Sequence, residues 1–367
     1  MRTIFEKYKT RESNIELLRI ASIFFIVLSH WAVHSDFAFD TSRLTVNQLL
    51  IEWSTLGEIG VCVFVLISGY YSVSRNQTVK GFFNLFFKVW SYNIIILAVV
   101  YFGRIKELSL RESITSLVPI FNLHWFAYTF LILYVLMPFL NAFIHNSERG
   151  LYEKLLIVVF LSWSIIYSFT GADFGFSYLG WFVFLYLLGA YIRLYRDETV
   201  STGKLLLVFL SSLVVLMASA VCINIVGLRI GFYPKHGADL YSLHSPFVLI
   251  CAISLFILFK NIEIGRHAVI NLLASTSFGI YLLSDNPLIR KWIWNDLFVS
   301  SSFAQSHLLI LVGVGCVIAV MSICMVFDLI WKIVESTKVY GRIIGQAESL
   351  VLRAMYRISA MKIRNEE

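Results

Sequence analysis

The sequence predicts an all-α integral membrane protein with about ten transmembrane helices. Of its 367 residues, 58% are hydrophobic and only 14% are charged, and the mean hydropathy is +0.77. A soluble domain of this length needs more charge to cover its surface, so the composition excludes that class. The abundance of Phe and Tyr, at 31 and 18 residues, favours helices with aromatic residues at the membrane interface. No region shows the period-two alternation of an outer-membrane barrel, so helical spans are expected.

Windows of about 18–22 residues with few charges mark ten candidate spans. They lie near 14–34, 57–74, 82–103, 122–142, 153–170, 177–193, 204–226, 246–260, 267–285 and 306–331. The connection at 171–176 is very short, so the fifth and sixth spans are expected to form an antiparallel hairpin. All five cysteines fall inside apolar runs without a Cys-x-x-Cys pair, which predicts buried hydrophobic packing and no metal site.

The distribution of basic residues predicts the orientation of the chain. Ten spans place both termini on one side, and about 20 Lys and Arg residues fall on that side. Because cytoplasmic loops are enriched in Lys and Arg, both termini are predicted to be cytoplasmic, in a multi-pass protein of the cell membrane. The external segment 104–111 is discordant, because it is basic. Eight basic residues fall on the other side: Arg43, Arg104, Lys106, Arg111, Arg229, Lys235, Arg290 and Lys291.

Three segments follow from this topology: a cytoplasmic N-terminal segment (1–13), a transmembrane domain (14–331) and a cytoplasmic basic tail (332–367). A signal peptide is not favoured, because Arg19 interrupts the first apolar stretch and many spans follow. The tail interleaves Lys and Arg with apolar residues, which predicts an amphipathic helix lying on anionic lipid. Its apolar residues are Val334, Ile343, Leu350, Leu352, Met355, Ile358 and Met361.

The first span carries two basic side chains on one helical face. Arg19 and His30 are eleven residues apart, which is about three turns with roughly 20° left over and an axial separation of about 16 Å. Glu16 precedes Arg19 by one turn on the same face, where it can pair with the guanidinium. An ionisable residue inside a span costs roughly 2.5–3.5 kcal/mol, so two on one face indicate a polar cavity.

Alternatives remain for each of these residues. Arg19 can extend its guanidinium to the headgroup region without lining a cavity. His30, further into the span, can be a hydrogen-bonded core residue. Glu16 can serve as simple charge compensation for Arg19 and have no part in catalysis.

Four segments resemble the acyltransferase 3 family of membrane acyltransferases, which includes bacterial O-acetyltransferases of surface polysaccharides. The first span, NIELLRIASIFFIVLSHW, is similar to the family's Arg, ten residues, His pattern with an acidic residue three positions earlier. GVCVFVLISGYY (60–71) resembles a segment ending in Ser-Gly-aromatic. LHWFAYTFLILYVLMPFLN (123–141) and STSFGIYLLSDNPLI (275–289) resemble a Trp-Phe segment and a late Ser-aromatic-Gly-Ile-Tyr-Leu motif.

The chain departs from the family pattern at two points. Many members have a His after the late Tyr-Leu, where this chain has Ser284 and Asp285. Many also have paired arginines near the third helix, where this chain has only Lys80 and Lys88. The resemblance therefore assigns no role to a late His and no arginine pair to the donor.

The resemblance implies transfer of an acyl group, usually acetyl from acetyl-CoA, to a hydroxyl of a cell-surface glycan or its lipid-linked precursor. Such a hydroxyl needs a base, and His30 has a suitable intrinsic pKa, although it could also carry the acyl group covalently. Arg19, nearer the cytoplasmic end, could bind a CoA phosphate or polarise the thioester carbonyl. Glu16 would then fix the guanidinium.

Five further residues are candidates for substrate binding, each with a structural alternative. His124 and Trp125 open the fourth span near the predicted external mouth, where an interfacial anchor is the other interpretation. Asp285 and Asn286 could bind acceptor hydroxyls or form the turn before Pro287. Ser68 either contacts substrate or allows close helix packing beside Gly69.

Two other functions compete with acyl transfer. A glycan flippase would show repeat symmetry and interrupted helices along a path, and the sequence shows neither clearly. A glycan polymerase would favour a large external loop with several arginines. Nucleic acid is not an expected partner, because the basic residues cluster at the two ends without interleaved aromatics in a soluble region. The expected partners are acyl-CoA, a glycan acceptor and membrane lipid.

Overall fold

The computed structural model describes residues 11–39, 43–118, 124–196, 200–230 and 239–366. These ranges contain helices and turns and no β-strand. Within them, eight helices are long and apolar enough to cross a membrane, and two shorter apolar helices span Pro246–Asn261 and Ala268–Ser284. The chain is therefore an all-α, multi-pass membrane protein, as its composition predicts.

The helices follow the predicted spans closely. Each of the ten spans coincides with one helix to within about one helical turn, except that the ninth is divided into two helices at Ser275 and Thr276. The α-helices of the whole described chain are labelled in order: α1 (Ser13–His34), α2 (Val46–Ser54), α3 (Gly57–Ser72), α4 (Val79–Phe102), α5 (Leu110–Leu117), α6 (Trp125–Asn146), α7 (Arg149–Thr170), α8 (Tyr178–Tyr195), α9 (Thr202–Ile230), α10 (Pro246–Asn261), α11 (Ala268–Ala274), α12 (Ser277–Ser284), α13 (Leu309–Glu335) and α14 (Lys338–Glu366).

Two short α-helices lie outside the predicted spans. Helix α2 begins after Thr45, whose hydroxyl accepts a hydrogen bond from the backbone of Gln48, and it leads almost directly into α3. Helix α5 begins with a capping box between Ser109 and Glu112. The Lys106 ammonium hydrogen-bonds Glu112 at 2.6 Å and, together with Ser109, lowers the pKa of that carboxyl to about 2. One basic charge of the discordant 104–111 segment is therefore paired.

Helices α1 and α3 lie at the centre of the bundle. Helix α1 packs against α3 and against α10 to α13, while α3 also packs against α8. Where α3 crosses α8, a Cβ on Gly69 would collide with the backbone of Tyr186, and one on Gly189 would collide with the backbone of Leu66. These two glycines bring the helix backbones into direct contact, which is how membrane helices gain packing energy without a hydrophobic effect.

Polar side chains hold the beginning of α1 against later helices. The Asn14 amide donates hydrogen bonds to the carbonyls of Phe259 and Ile262 at the end of α10, each at 3.0 Å. The Ser13 hydroxyl donates to Asn271 of α11 at 2.9 Å. After α11, the Lys332 ammonium near the end of α13 donates to the carbonyl of Ser275. The first and last spanning helices thus have their outer chain ends on one side of the bundle.

The tail forms the long helix α14, which packs against α4 and leaves apolar residues such as Ile343, Leu350 and Leu352 exposed. Its alternation of basic and apolar residues agrees with the predicted amphipathic helix. The side chains of Met355, Ile358 and Met361 lie outside the described set, as do residues 1–10 of the predicted N-terminal segment. The prediction of buried cysteines is confirmed for Cys62, Cys251 and Cys324, whereas Cys316 is half-buried and Cys222 is exposed on α9.

Candidate active site

A cavity of about 600 Å³ runs along α1 and is enclosed by α3, α6, α12 and α13. Arg19, Ile23, Ile26 and His30 line it from α1 at helical spacing. The eleven-residue spacing of Arg19 and His30 therefore places both on the face of α1 that lines the cavity, as predicted. Neither side chain faces lipid, which removes the alternative of an Arg19 that only reaches for headgroups.

The cavity has two chemically different ends. Helix α3 runs antiparallel to α1, because a Cβ on Gly57 would contact Ser29 and a Cβ on Gly60 would contact Ser22. The register assigns the lining to three zones. The Arg19 end comprises Arg11, Arg19, Ser68, Lys332 and Glu335; the apolar waist comprises Ile23, Ile26, Phe64 and Phe278; and the His30 end comprises His30, His34, Glu58, Trp125, Asp285 and Arg290.

The guanidinium of Arg19 is unpaired at its end of the cavity. Within the described part of the chain, no carboxylate lies within 4 Å of it, and its buried Nε has no hydrogen-bond partner. The predicted pair with Glu16 is replaced by an Arg11–Glu16 ion pair at 3.2 Å. Arg11 also lines this end of the cavity, but it is engaged by Glu16, whereas Arg19 lines the cavity with no carboxylate partner among the described residues. An unpaired guanidinium there is suited to an anionic ligand.

His30 faces a carboxylate from the late helix. Its Nε2 lies 3.8 Å from Asp285 Oδ2, and its buried Nδ1 has no hydrogen-bond partner. Asp285 Oδ1 also lies 3.3 Å from His34 Nε2 and 3.3 Å from Arg290 Nη1. At 3.8 Å the two groups are beyond hydrogen-bond distance, so Asp285 does not fix the tautomer of the ring. The carboxylate is placed to orient the ring and to stabilise the imidazolium that forms when His30 accepts a proton.

Asp285 occupies the place where the family resemblance would put a late histidine. The residue lies at the end of α12, four positions after Tyr281, whose ring centroid is 6.2 Å from that of His30. The predicted role in acceptor binding is not what its contacts favour, because its oxygens already face His30, His34 and Arg290. The contacts instead favour an orienting role toward His30.

His124 and Asn286 do not line the cavity. His124 was expected near the external mouth, but it is 1% exposed and its Nε2 lies 3.1 Å from Asn93 Oδ1. The Asn286 amide donates to that same oxygen at 3.2 Å, while its own Oδ1 accepts from the backbone of Leu288, so the turn interpretation holds. The two residues form a buried link between α4, α6 and the end of α12. Trp125, Ser68 and Asp285 do line the cavity.

Sequence reasoning missed a buried ionic cluster beside the Arg19 end. The carboxylate of Asp328 on α13 is fully buried, 2.7 Å from Lys88 of α4 and 3.1 Å from Lys332. Tyr92 donates to it from α4, and Gly279 of α12 leaves the space it fills. The available signal was one acidic and one basic residue inside otherwise apolar spans. Lys88 therefore pairs with Asp328, and it is not among the described residues that line the cavity.

A comparison with protein-family models decides the family. A model described as an acyltransferase domain matches residues 12–328, nearly the whole chain. The chain belongs to the acyltransferase 3 family. It is accordingly a membrane acyltransferase. Searches of curated proteins and of solved structures gave no significant match.

Residues of the sequence motifs of this acyltransferase lie at helix contacts and along the cavity. Gly69 of the Ser-Gly-aromatic motif allows the α3–α8 contact, and Gly279 of the late motif allows Asp328 to approach α12. Ser68 lines the cavity but donates its hydroxyl to the carbonyl of Phe64. Tyr281 packs between His30 and His124, with ring centroids 6.2 and 5.7 Å away. The two glycines therefore set helix contacts, while the serine and the tyrosine line the same cavity as Arg19 and His30.

Proposed function

We propose that this membrane acyltransferase transfers an acyl group, most simply acetyl, from acyl-CoA to a hydroxyl of a cell-surface glycan or its lipid-linked precursor. The observation that carries the proposal is one cavity that joins an unpaired guanidinium to a carboxylate-oriented imidazole. The two groups are about 16 Å apart along α1, which leaves room for an extended thioester donor between them.

Arg19 is the proposed binding group for the donor. CoA is strongly anionic, and guanidinium groups bind phosphate with two parallel hydrogen bonds. Arg11 and Lys332 line the same end, but each is already paired with a carboxylate, Arg11 with Glu16 and Lys332 with Asp328. The acyl thioester would lie along the apolar waist and reach toward His30. Because CoA is a cytoplasmic metabolite, the Arg19 end would face the cytoplasm, in agreement with the predicted orientation of both termini.

His30 is the proposed base. Its imidazole would take the proton from the acceptor hydroxyl as that oxygen attacks the thioester carbonyl. When the carbon–sulfur bond breaks, the departing thiolate takes the proton from His30, which yields the O-acyl ester and free CoA. Alternatively, the imidazole attacks the thioester first and releases CoA as the thiol; the acyl group then passes from the ring to the acceptor hydroxyl, whose proton returns to the imidazole. Both routes give Asp285 the same role, which is to stabilise the charged ring.

The experiment is to measure acyl content of surface glycan and labelled acetyl transfer together. A strain that lacks the gene should make a normal amount of polymer without its acyl groups. Complementation with the wild-type gene should restore them, and complementation with His30→Ala should not, at equal membrane content of the protein. Full acylation by His30→Ala would remove His30 from the mechanism. Loss of the polymer itself would favour a flippase.

A further inference from the structure

Glu58 is a carboxylate at the His30 end that the proposed chemistry leaves without a role. It lies in the first turn of α3 and lines the cavity. Its Oε2 is buried without a hydrogen-bond partner, and no cationic group of the described residues lies within 4 Å of it. Removing a carboxylate from water without a partner is costly. This geometry indicates that a ligand supplies the missing hydrogen-bond partner of Glu58.

The helix register places Glu58 level with His30. Gly57, the preceding residue, packs directly on Ser29, the residue before His30. Glu58 and Ser68 are ten residues apart on α3, or about 15 Å, so Glu58 lies far from the Arg19 end. A ligand at Glu58 would therefore meet His30 without displacing a donor bound at Arg19.

Two aromatic side chains line the cavity at the end that holds Glu58. The indole of Trp125 lies on α6, and its ring centroid is 4.7 Å from that of Tyr178. Tyr281 lies on α12, with its ring centroid 6.2 Å from that of His30. A carboxylate accepts hydrogen bonds from hydroxyls, while an indole face packs against apolar C–H surface. A carbohydrate ring presents both at once.

We propose that Glu58 and Trp125 form the acceptor subsite, in which a carbohydrate ring packs on the indole and donates a hydroxyl hydrogen bond to Glu58. A neighbouring hydroxyl of the ring then faces the imidazole of His30. This inference rests on the proposed function and deepens it, because it assigns acceptor binding to residues on α3 and α6 that are separate from the donor groups.

The test uses the full chain in lipid nanodiscs, with acetyl-CoA as donor and base-deacylated surface glycan from the deletion strain as acceptor. Glu58→Gln keeps the shape but loses the charge-assisted hydrogen bond, so the acceptor KM should rise about tenfold. Trp125→Leu should raise the same constant. The donor KM and the acceptor-independent hydrolysis of acetyl-CoA should change less than about twofold.

Glu52→Gln is the matched control. Glu52 is another carboxylate, on α2, but its oxygens are bonded to Gln48 and Asn224 and it does not line the cavity. Its acceptor KM should equal that of the wild type. A parallel loss of donor affinity or hydrolysis in Glu58→Gln would overturn the acceptor assignment, as would an unchanged acceptor KM.

A binding measurement separates this inference from the proposed function. In a His30→Ala background, glycan fragments should bind measurably by calorimetry, and adding Glu58→Gln should weaken that binding about tenfold. If the wild type transfers no acetyl group but Glu58 still controls glycan binding, the proposed function fails while the subsite stands. If acetyl transfer is robust and neither KM nor binding depends on Glu58, the subsite fails alone.

Discussion

Asp285 is the residue at which the groups of the His30 end converge. It contacts His30, His34 and Arg290, and it sits at the end of α12 beside the Asn286 turn. Because a carboxylate beside an imidazole orients the ring and stabilises the imidazolium that forms during proton transfer, its effect should appear in turnover more than in substrate binding.

Asp285→Asn is expected to lower kcat by about 10²-fold, because the neutral amide no longer stabilises the imidazolium that forms when His30 accepts a proton. The measurement is steady-state transfer of labelled acetyl in nanodiscs. The control is Asp296→Asn, at an exposed residue of the π-helical segment Trp292–Leu297, which should keep wild-type turnover. Unaltered kcat in Asp285→Asn would mean that His30 is oriented by another group.

Arg19→Ala is expected to raise the donor KM about tenfold or more, because it removes the unpaired guanidinium from its end of the cavity. The acceptor KM should stay constant, since the acceptor groups lie beyond the apolar waist. Arg149→Ala is a suitable comparison, because that arginine pairs with Glu153 on the surface. A donor KM that stays at the wild-type value would exclude Arg19 from CoA binding.

At this scale, some of the site could be predicted and some could not. The shared face of Arg19 and His30 follows from their spacing on one helix, which needs no tertiary information. Asp285 and Glu58 belong to other helices, and their approach to His30 depends on the α1–α3 register and on the end of α12. Asp328 and Lys88 are 240 positions apart in the sequence, so nothing local indicates that they pair.

At the scale of the helices, α3 and α8 approach each other very closely where they cross. Gly69 and Gly189 each face the backbone of the opposite helix, so any side chain at these positions forces the two helices apart. Overpacking in a tight core typically costs about 1–3 kcal/mol, and more where the obstacle is backbone.

Gly69→Ala is therefore expected to lower thermal stability by several degrees and reduce the yield of monodisperse protein. The measurement is size-exclusion chromatography with a heating series in detergent. Gly203→Ala is the control, because a Cβ there meets nothing within 4 Å at the beginning of α9. Equal melting of the two variants would show that α3 and α8 can separate without loss.

The long helices were predictable because an uninterrupted apolar run must form all its backbone hydrogen bonds internally. The division between α11 and α12 was not, because Ser275 and Thr276 carry no helix-breaking signal. The break depends on tertiary contacts, among them the Lys332 hydrogen bond to the Ser275 carbonyl. Helices α2 and α5 were not predicted, because they are shorter than the windows of about 18–22 residues that mark membrane spans.

Over the whole molecule, the distribution of basic residues and the proposed donor site predict the same orientation, because the Arg19 end lies where α1 begins and α13 ends. Green fluorescent protein fused after Glu367 is expected to fluoresce in the cytoplasm. Alkaline phosphatase should be active when fused at 172, between α7 and α8, and inactive at 147, between α6 and α7. The opposite pattern would place the Arg19 end outside, where acyl-CoA is absent.

The apolar waist has a consequence for the membrane itself. A cavity that follows α1 for most of its length shortens the apolar barrier between two aqueous compartments, and ions cross such a cavity readily when it fills with water. Ile23, Ile26, Phe64 and Phe278 are the side chains that keep this stretch dry. A cell that expresses the Phe64→Ser protein should therefore lose part of its proton-motive force, whether or not any glycan is being modified.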